Sequence, residues 1–301
     1  MTGEIDKDTA ALEDSLRHEP DTGKFRDLLA RTSKKHKFYA LRDIATDSAL
    51  NKDKDLVKEN FPAKVALLYD NLSPTNATAV EDILISAAAT GHYELFRFLL
   101  EKEADPTSEA SQKRREKAFM AAAGAGKSSP EDNFAARNLL TLLETHTPTE
   151  AHLFAAFEAA IAKGEVPQVE VLANYAKENN PTLINQKKKG KPTLLEMAIT
   201  KRLRREIGME ASNLIATALL EAGAVPPVKL EGIDIISLLE EESFSRYVVA
   251  KASQVLSQRG KLPQRSFIQS QQPKPKLAPK ANDSPWADER KGFNEPDKHN
   301  R

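Results

Sequence analysis

Residues 83–106 read ILISAAATGHYELFRFLLEKEADP, and the order of small, apolar and turn residues predicts two short antiparallel helices. Ile83, Leu84, Ala87 and Ala88 fall at helical spacing along the first. Gly91-His92 turns the chain, and Leu95, Phe96, Phe98, Leu99 and Leu100 supply the apolar stripe of the second. A unit of this size cannot bury that stripe alone, so further helix pairs are expected beside it.

The pattern resembles the ankyrin repeat. The family's run L-H-x-A-A-x-x-G-H-x-E…L-L-E-x-G-A-D-P lies without a gap over Leu84, Ala87, Ala88, Gly91, His92, Glu94, Leu99, Leu100, Glu101, Ala104, Asp105 and Pro106. Glu103 stands where the family closes with Gly, and it bears a left-handed backbone less easily. LLEAGAVP at 219–226 repeats LLEKEADP at 99–106. LINQKKKGKPTLLEMAI at 183–199 looks like the family's finger and first helix. Asn185 and Gly190 hold the turn, and Thr193, Leu195, Met197 and Ala198 lie on T-P-L-H-L-A with Leu194 in place of its Pro. KAFMAAAGAG (117–126) with NFAARNLLTLLE (133–144), and HLFAAFEAAIAKGE (152–165) with VEVLANYA (169–176), read as two more pairs. The step from Leu99-Leu100 to Leu142-Leu143 is about 43 residues against the family's ~33, which lengthens the connecting loops.

Upstream, FYALRDIATDSAL (38–50) and FPAKVALLYDNL (61–72) fit a divergent first pair or cap. Downstream, 233–260 closes the stack, with Gln254, Ser257, Gln258 and Arg259 suited to a solvent-facing last helix. Residues 261–301, rich in Pro, Gln and mixed charge, have too little apolar content to offset ordering entropy and are expected to be a disordered tail. The first ~20 residues are expected to form at most one loosely attached helix. The expected fold is all-α: a polar segment over 1–23, an ankyrin-like helical solenoid over 24–260 with a divergent cap at 24–75 and repeats from about 79, then the tail.

The 44 basic and 44 acidic side chains cancel, so no overall field steers the molecule to nucleic acid or anionic lipid. Without Cys there is no disulfide framework and no thiolate nucleophile or metal site. No apolar run approaches the ~18 residues of a membrane span, and MTGEIDKDTA lacks the apolar core of a secretory signal. The expectation is a soluble, cytoplasmic protein.

AAAGAGKS at 121–128 fits a relaxed phosphate-loop pattern through Gly126, Lys127 and Ser128. Phosphate loops need a buried strand before the turn, however, and QKRREKAF precedes it. A helix end followed by a Ser129-Pro130 helix start explains the same letters. Three basic clusters, QKRREK (112–117), KKKGK (187–191) and KRLRRE (201–206), could meet phosphoinositide, nucleic acid or an acidic partner; the plainer alternative is solvated loops. The six His residues form no i, i+4 metal pair, and no nucleophile turn supports acyl transfer. Trp286, in the tail, is either inert or an anchor for a partner's pocket.

The resemblance implies a non-catalytic interaction module or adaptor with no cofactor or metal. Its partner would be another protein, met by Lys187, Lys188, Lys189, Lys191, His92, Tyr93 and, secondarily, Trp286. Divergent, loop-expanded ankyrin proteins without Cys look like those that intracellular bacteria deliver into host cells, so an effector exported by a leaderless route is the expected setting. The alternatives are a nucleotide-binding enzyme built on 121–128 and a membrane-surface adaptor using 187–191.

Overall fold

The computed structural model describes residues 3–18, 21–46, 61–72, 77–90, 93–103, 105–126, 134–188 and 190–260. The described chain is mostly helical, as the all-α expectation requires. Its helices come in consecutive pairs: α1 (Gly3–His18) with α2 (Thr22–Arg31), α3 (Lys34–Thr46) with α4 (Phe61–Asn71), and α5 (Ala77–Thr90) with α6 (Tyr93–Glu101). There follow α7 (Glu109–Ala123) with α8 (Phe134–Thr145), α9 (Glu150–Lys163) with α10 (Val166–Asn179), α11 (Leu194–Leu203) with α12 (Met209–Glu221), and α13 (Ile235–Glu241) with α14 (Arg246–Gln258).

The pairing extends into two rows. Each of α1, α3, α5, α7, α9 and α11 packs on the next of that series, and each of α2, α4, α6, α8, α10, α12 and α14 packs on the next of the other. Polar bonds between neighbouring pairs recur at similar steps. Lys117 meets Glu81 at a separation of 36 residues, Lys163 donates to the Gly124 carbonyl at 39, and Lys191 meets Glu158 at 33.

One apolar cluster runs from Leu12 to Leu256 between the rows. Ile83, Leu84, Ala87 and Ala88 of α5 and Leu95, Phe96, Leu99 and Leu100 of α6 are all buried, so the stretch 83–106 folds on the face its spacing predicts. Each such large apolar side chain contributes about 1.5–3 kcal/mol on burial. Phe98 departs from that stripe. It is half-buried and meets the Tyr69 ring edge-on at 5.7 Å, tying α6 to α4. Asn138 of α8, fully buried, donates to the Ala87 carbonyl at 3.1 Å and ties α8 to α5.

Helix ends explain where the chain turns. Side chains of Ser108, Thr149, Thr193, Asp234 and Ser245 cap α7, α9, α11, α13 and α14. At the other end, α9 closes on Gly164 at φ +74° with the Glu165 amide reaching back to the Ala160 carbonyl. A Cβ at Gly164 would also lie a tight 3.3 Å from Ile207, which adds to the preference of the left-handed turn for Gly.

Glu103 does not adopt the left-handed backbone that the family's closing Gly would. Positive φ among non-glycine described residues is confined to Arg205, Glu231 and Ser243. Its carboxylate is instead buried, accepting from Arg115 Nε at 2.7 Å with Arg114 Nε at 3.5 Å, while Arg115 also donates to the Thr145 carbonyl at 3.0 Å. Glu103 thus ties the end of α6 to α7, and Arg115 ties the end of α8 to the same helix.

Leu12 and Leu16 of α1 are buried and α1 packs on α3, so the packed unit includes this helix ahead of residue 24. That compact unit spans Met1–Leu262, and the tail from Pro263, with Trp286, lies outside the described residues. The segment after α12 contains a feature that helical spacing did not predict: an antiparallel hairpin of β1 (Lys229–Leu230) and β2 (Ile233–Asp234), which leads directly into α13.

Candidate interaction surface

The segment 182–193, referred to below as the finger, joins α10 to α11. Its base is a single 3-10 turn at Leu183–Asn185, with Leu183 and Ile184 buried. Asn185 fixes it to the next connection along the chain: Nδ2 donates to the Gly223 carbonyl at 2.9 Å, and Oδ1 accepts from the Val225 amide at 2.7 Å. Near the tip the Lys191 amide closes on the Lys188 carbonyl at 2.9 Å, with Gly190 at φ +76° inside the turn. The chain then enters α11 through a reciprocal cap. Thr193 Oγ1 accepts from the Glu196 amide, and Glu196 Oε2 accepts from the Thr193 amide at 2.7 Å.

The finger's lysines are committed inside the molecule to different degrees. Lys191 Nζ meets both Glu158 oxygens at 2.7 and 2.9 Å. Lys188 Nζ lies 4.2 Å from the centroid of the buried Phe154 ring, a cation–π contact. Lys187 is exposed, 3.6 Å from Glu196 Oε1. Lys187, Lys188, Lys191 and Glu196 line one open groove of about 710 Å³ together with Lys229 and Glu231 of the hairpin. Lys229 and the hairpin wall escaped the sequence reading. The available signal was Glu231-Gly232 between V-K-L and I-D, a two-residue turn flanked by alternating residues.

Of the remaining site residues, Tyr93 does not line this groove. Tyr93 begins α6 and lies beneath the Arg137 guanidinium of α8, 4.0 Å from the ring centroid. His92, Lys189 and Trp286 lie outside the described residues.

The first basic cluster is not a solvated loop. Residues 112–117 belong to α7, where Lys113 pairs with Glu109, Arg114 and Arg115 with Glu103, and Lys117 with Glu81. In 201–206, Lys201 and Arg202 lie in the last turn of α11, Lys201 pairs with Glu206, and Arg204 and Arg205 lie exposed in the following turn. As for the phosphate-loop-like run, Ala121–Ala123 complete α7 and Gly124 caps it, so a helix delivers the turn; Lys127 and Ser128 lie outside the described residues.

Near α7, burial holds His146 below the ordinary imidazole range, with Glu116 opposing and Arg115 and His152 reinforcing the shift. His152 Nδ1 lies 3.3 Å from Glu116. Among the described residues no group of three or more His, Asp or Glu could hold a metal ion, and no helix is long and apolar enough to cross a membrane. No protein-family model, curated protein or solved structure matches this chain.

Proposed function

We propose that this chain is a non-catalytic interaction scaffold, an ankyrin-like solenoid whose finger and hairpin present a binding surface to another protein. The observation that carries this reading is how the finger is held. Asn185, Lys191 and the Thr193–Glu196 cap fix its base and flank, while Lys187 remains exposed at the mouth of the groove. Rigid projection of a polar segment reduces the ordering cost of binding, which is what a recognition surface needs and a mere connection does not. Two rows of paired helices, with polar ties recurring every 33 to 39 residues, support the solenoid and its resemblance to ankyrin repeats. A cytoplasmic adaptor, including one delivered into a host cell, fits this reading.

The test is chemical cross-linking of the full chain in lysate, with the cross-linked peptides mapped by mass spectrometry. Partner cross-links are expected at Lys187, Lys189 and Lys229, and reversal of Lys187 and Lys189 to Glu is expected to remove them and weaken capture. Lys188 is left in place because it covers Phe154. Saturable ATP or GTP binding that is lost in Lys127→Ala, with no partner cross-links on the finger, would replace the scaffold with the nucleotide-binding reading.

A further inference from the structure

The hairpin beside the finger has an unused edge. Leu230 and Ile233 flank the two-residue turn Glu231-Gly232, both at positive φ (52° and 84°), so they form the hydrogen-bonded pair that closes it. The next hydrogen-bonded position is Val228 with Ile235, whose amide donates to the Val228 carbonyl at 3.1 Å. Antiparallel strands alternate, so Lys229 opposite Asp234 is the pair between, and the Lys229 amide and carbonyl point away from β2.

On that outer side lies the groove described above. β1 lines it through Lys229 and Leu230, β2 contributes nothing to it, and among the described residues β1 pairs only with β2. Four lysines and two glutamates line it, and Lys229 makes no ion pair among the described residues. A free strand edge with lysines on both walls fits an extended segment that offers backbone groups to Lys229 and carboxylates to the side chains.

We propose that the outer edge of β1 accepts an acidic, extended segment of a partner protein as a third strand, its alternate carboxylates meeting Lys187 and Lys229. This rests on the scaffold reading and names the class of partner for the same surface. Side chains two apart on a strand share a face, so acidic residues at every second position are the matching pattern. Two main-chain bonds at Lys229 would set register and direction, while the lysines would set preference.

The experiment uses the full chain and a fluorescein-labelled, end-blocked (Glu-Val)4 peptide, read by anisotropy at low salt. Binding is expected to weaken by about tenfold or more in Lys187→Glu/Lys229→Glu, checked for an unchanged circular dichroism spectrum. Peptides N-methylated at every second residue, in each of the two frames, are expected to differ: the frame that blocks the ladder loses binding and the other keeps it. Amide exchange at Lys229 is expected to slow when the peptide is bound. Equal binding by both methylated frames, an unchanged exchange rate at Lys229, absence of binding at millimolar peptide, or binding of oligo-dT in place of the peptide would each overturn the proposal. If partner cross-links on Lys187 survive while Lys229 stays unprotected by peptide, strand addition fails and the scaffold stands; loss of both removes the scaffold as well.

Discussion

The basic runs at 112–117 and 187–191 are close in composition and opposite in use. QKRREK lies in α7, and the turn of the helix sends Arg115 inward to Glu103 and the Thr145 carbonyl while Lys113 stays outside with Glu109. KKKGK is broken by Gly190: Lys191 pairs with Glu158 and Lys188 covers Phe154, while Lys187 stays exposed beside Glu196. The difference teaches that charge density alone does not mark a surface for binding; the backbone beneath decides whether a cation becomes an internal clamp or an external contact.

The clamp gives the largest expected effect. Both side chains are almost fully buried, Arg115 at 8% and Glu103 at 6% exposure, so removing Arg115 leaves Glu103 with only the longer contact to Arg114 in a poorly solvated place. Arg115→Ala is expected to cost about 3–5 kcal/mol, read by urea denaturation. A loss below about 1 kcal/mol would show that the pair is hydrated in solution and would erase the contrast between the two runs. Replacing both partners by Leu should recover much of the loss, because the penalty comes from the unpaired charge.

Next in size is the finger's anchor. Asn185→Ala removes two hydrogen bonds that join adjacent connections and is expected to cost about 1–3 kcal/mol. Hydrogen exchange should then quicken over 182–193 and 223–226 while α5 and α7 keep their protection. Uniform acceleration across the molecule would mean that the finger is integral to the stack instead of a projection from it.

How much of this was legible depends on the distance between partners along the chain. The face of α5 and α6 follows from spacing alone, since each side chain is placed by neighbours three and four residues away. The finger's entry into α11 is legible as Thr193-x-x-Glu196. The clamp is not, because its acceptor groups lie 12 and 30 residues from Arg115 and nothing local ties them together. Glu103 misled for the same reason: read locally it replaces a turn-forming Gly, whereas its role is set by α7. The hairpin does not follow from helical period, because its signal is the two-residue turn Glu231-Gly232 that places Lys229 on the first strand.

A smaller effect lies beside the clamp. Burial lowers the His146 pKa, and Arg115 and His152 lower it further against the pull of Glu116. A lowered imidazole means that the unfolded chain takes the proton first as pH falls through the ordinary 6.5, so stability is complete above that value and declines on the acid side. His146→Gln should reduce that acid-side slope, measured as the difference in urea midpoint between parent and variant from pH 8 to 5. An unchanged slope would assign the decline to other groups and leave the clamp region insensitive to pH.

The smallest effect on stability is expected at the finger, where it is also the most informative. Lys187 is exposed, and its link to Glu196 at 3.6 Å is long and screened, so Lys187→Glu should change unfolding free energy by no more than about 0.5 kcal/mol. The Thr193–Glu196 cap does not depend on it, because Glu196 uses its other oxygen there. Partner capture should nevertheless fall and lose part of its salt dependence, since a rim charge acts on encounter more than on the core. If Lys187→Glu instead unfolds the protein as Arg115→Ala does, the two basic runs serve one purpose and the finger is a brace. If it changes neither stability nor capture, the recognition surface lies elsewhere on the chain.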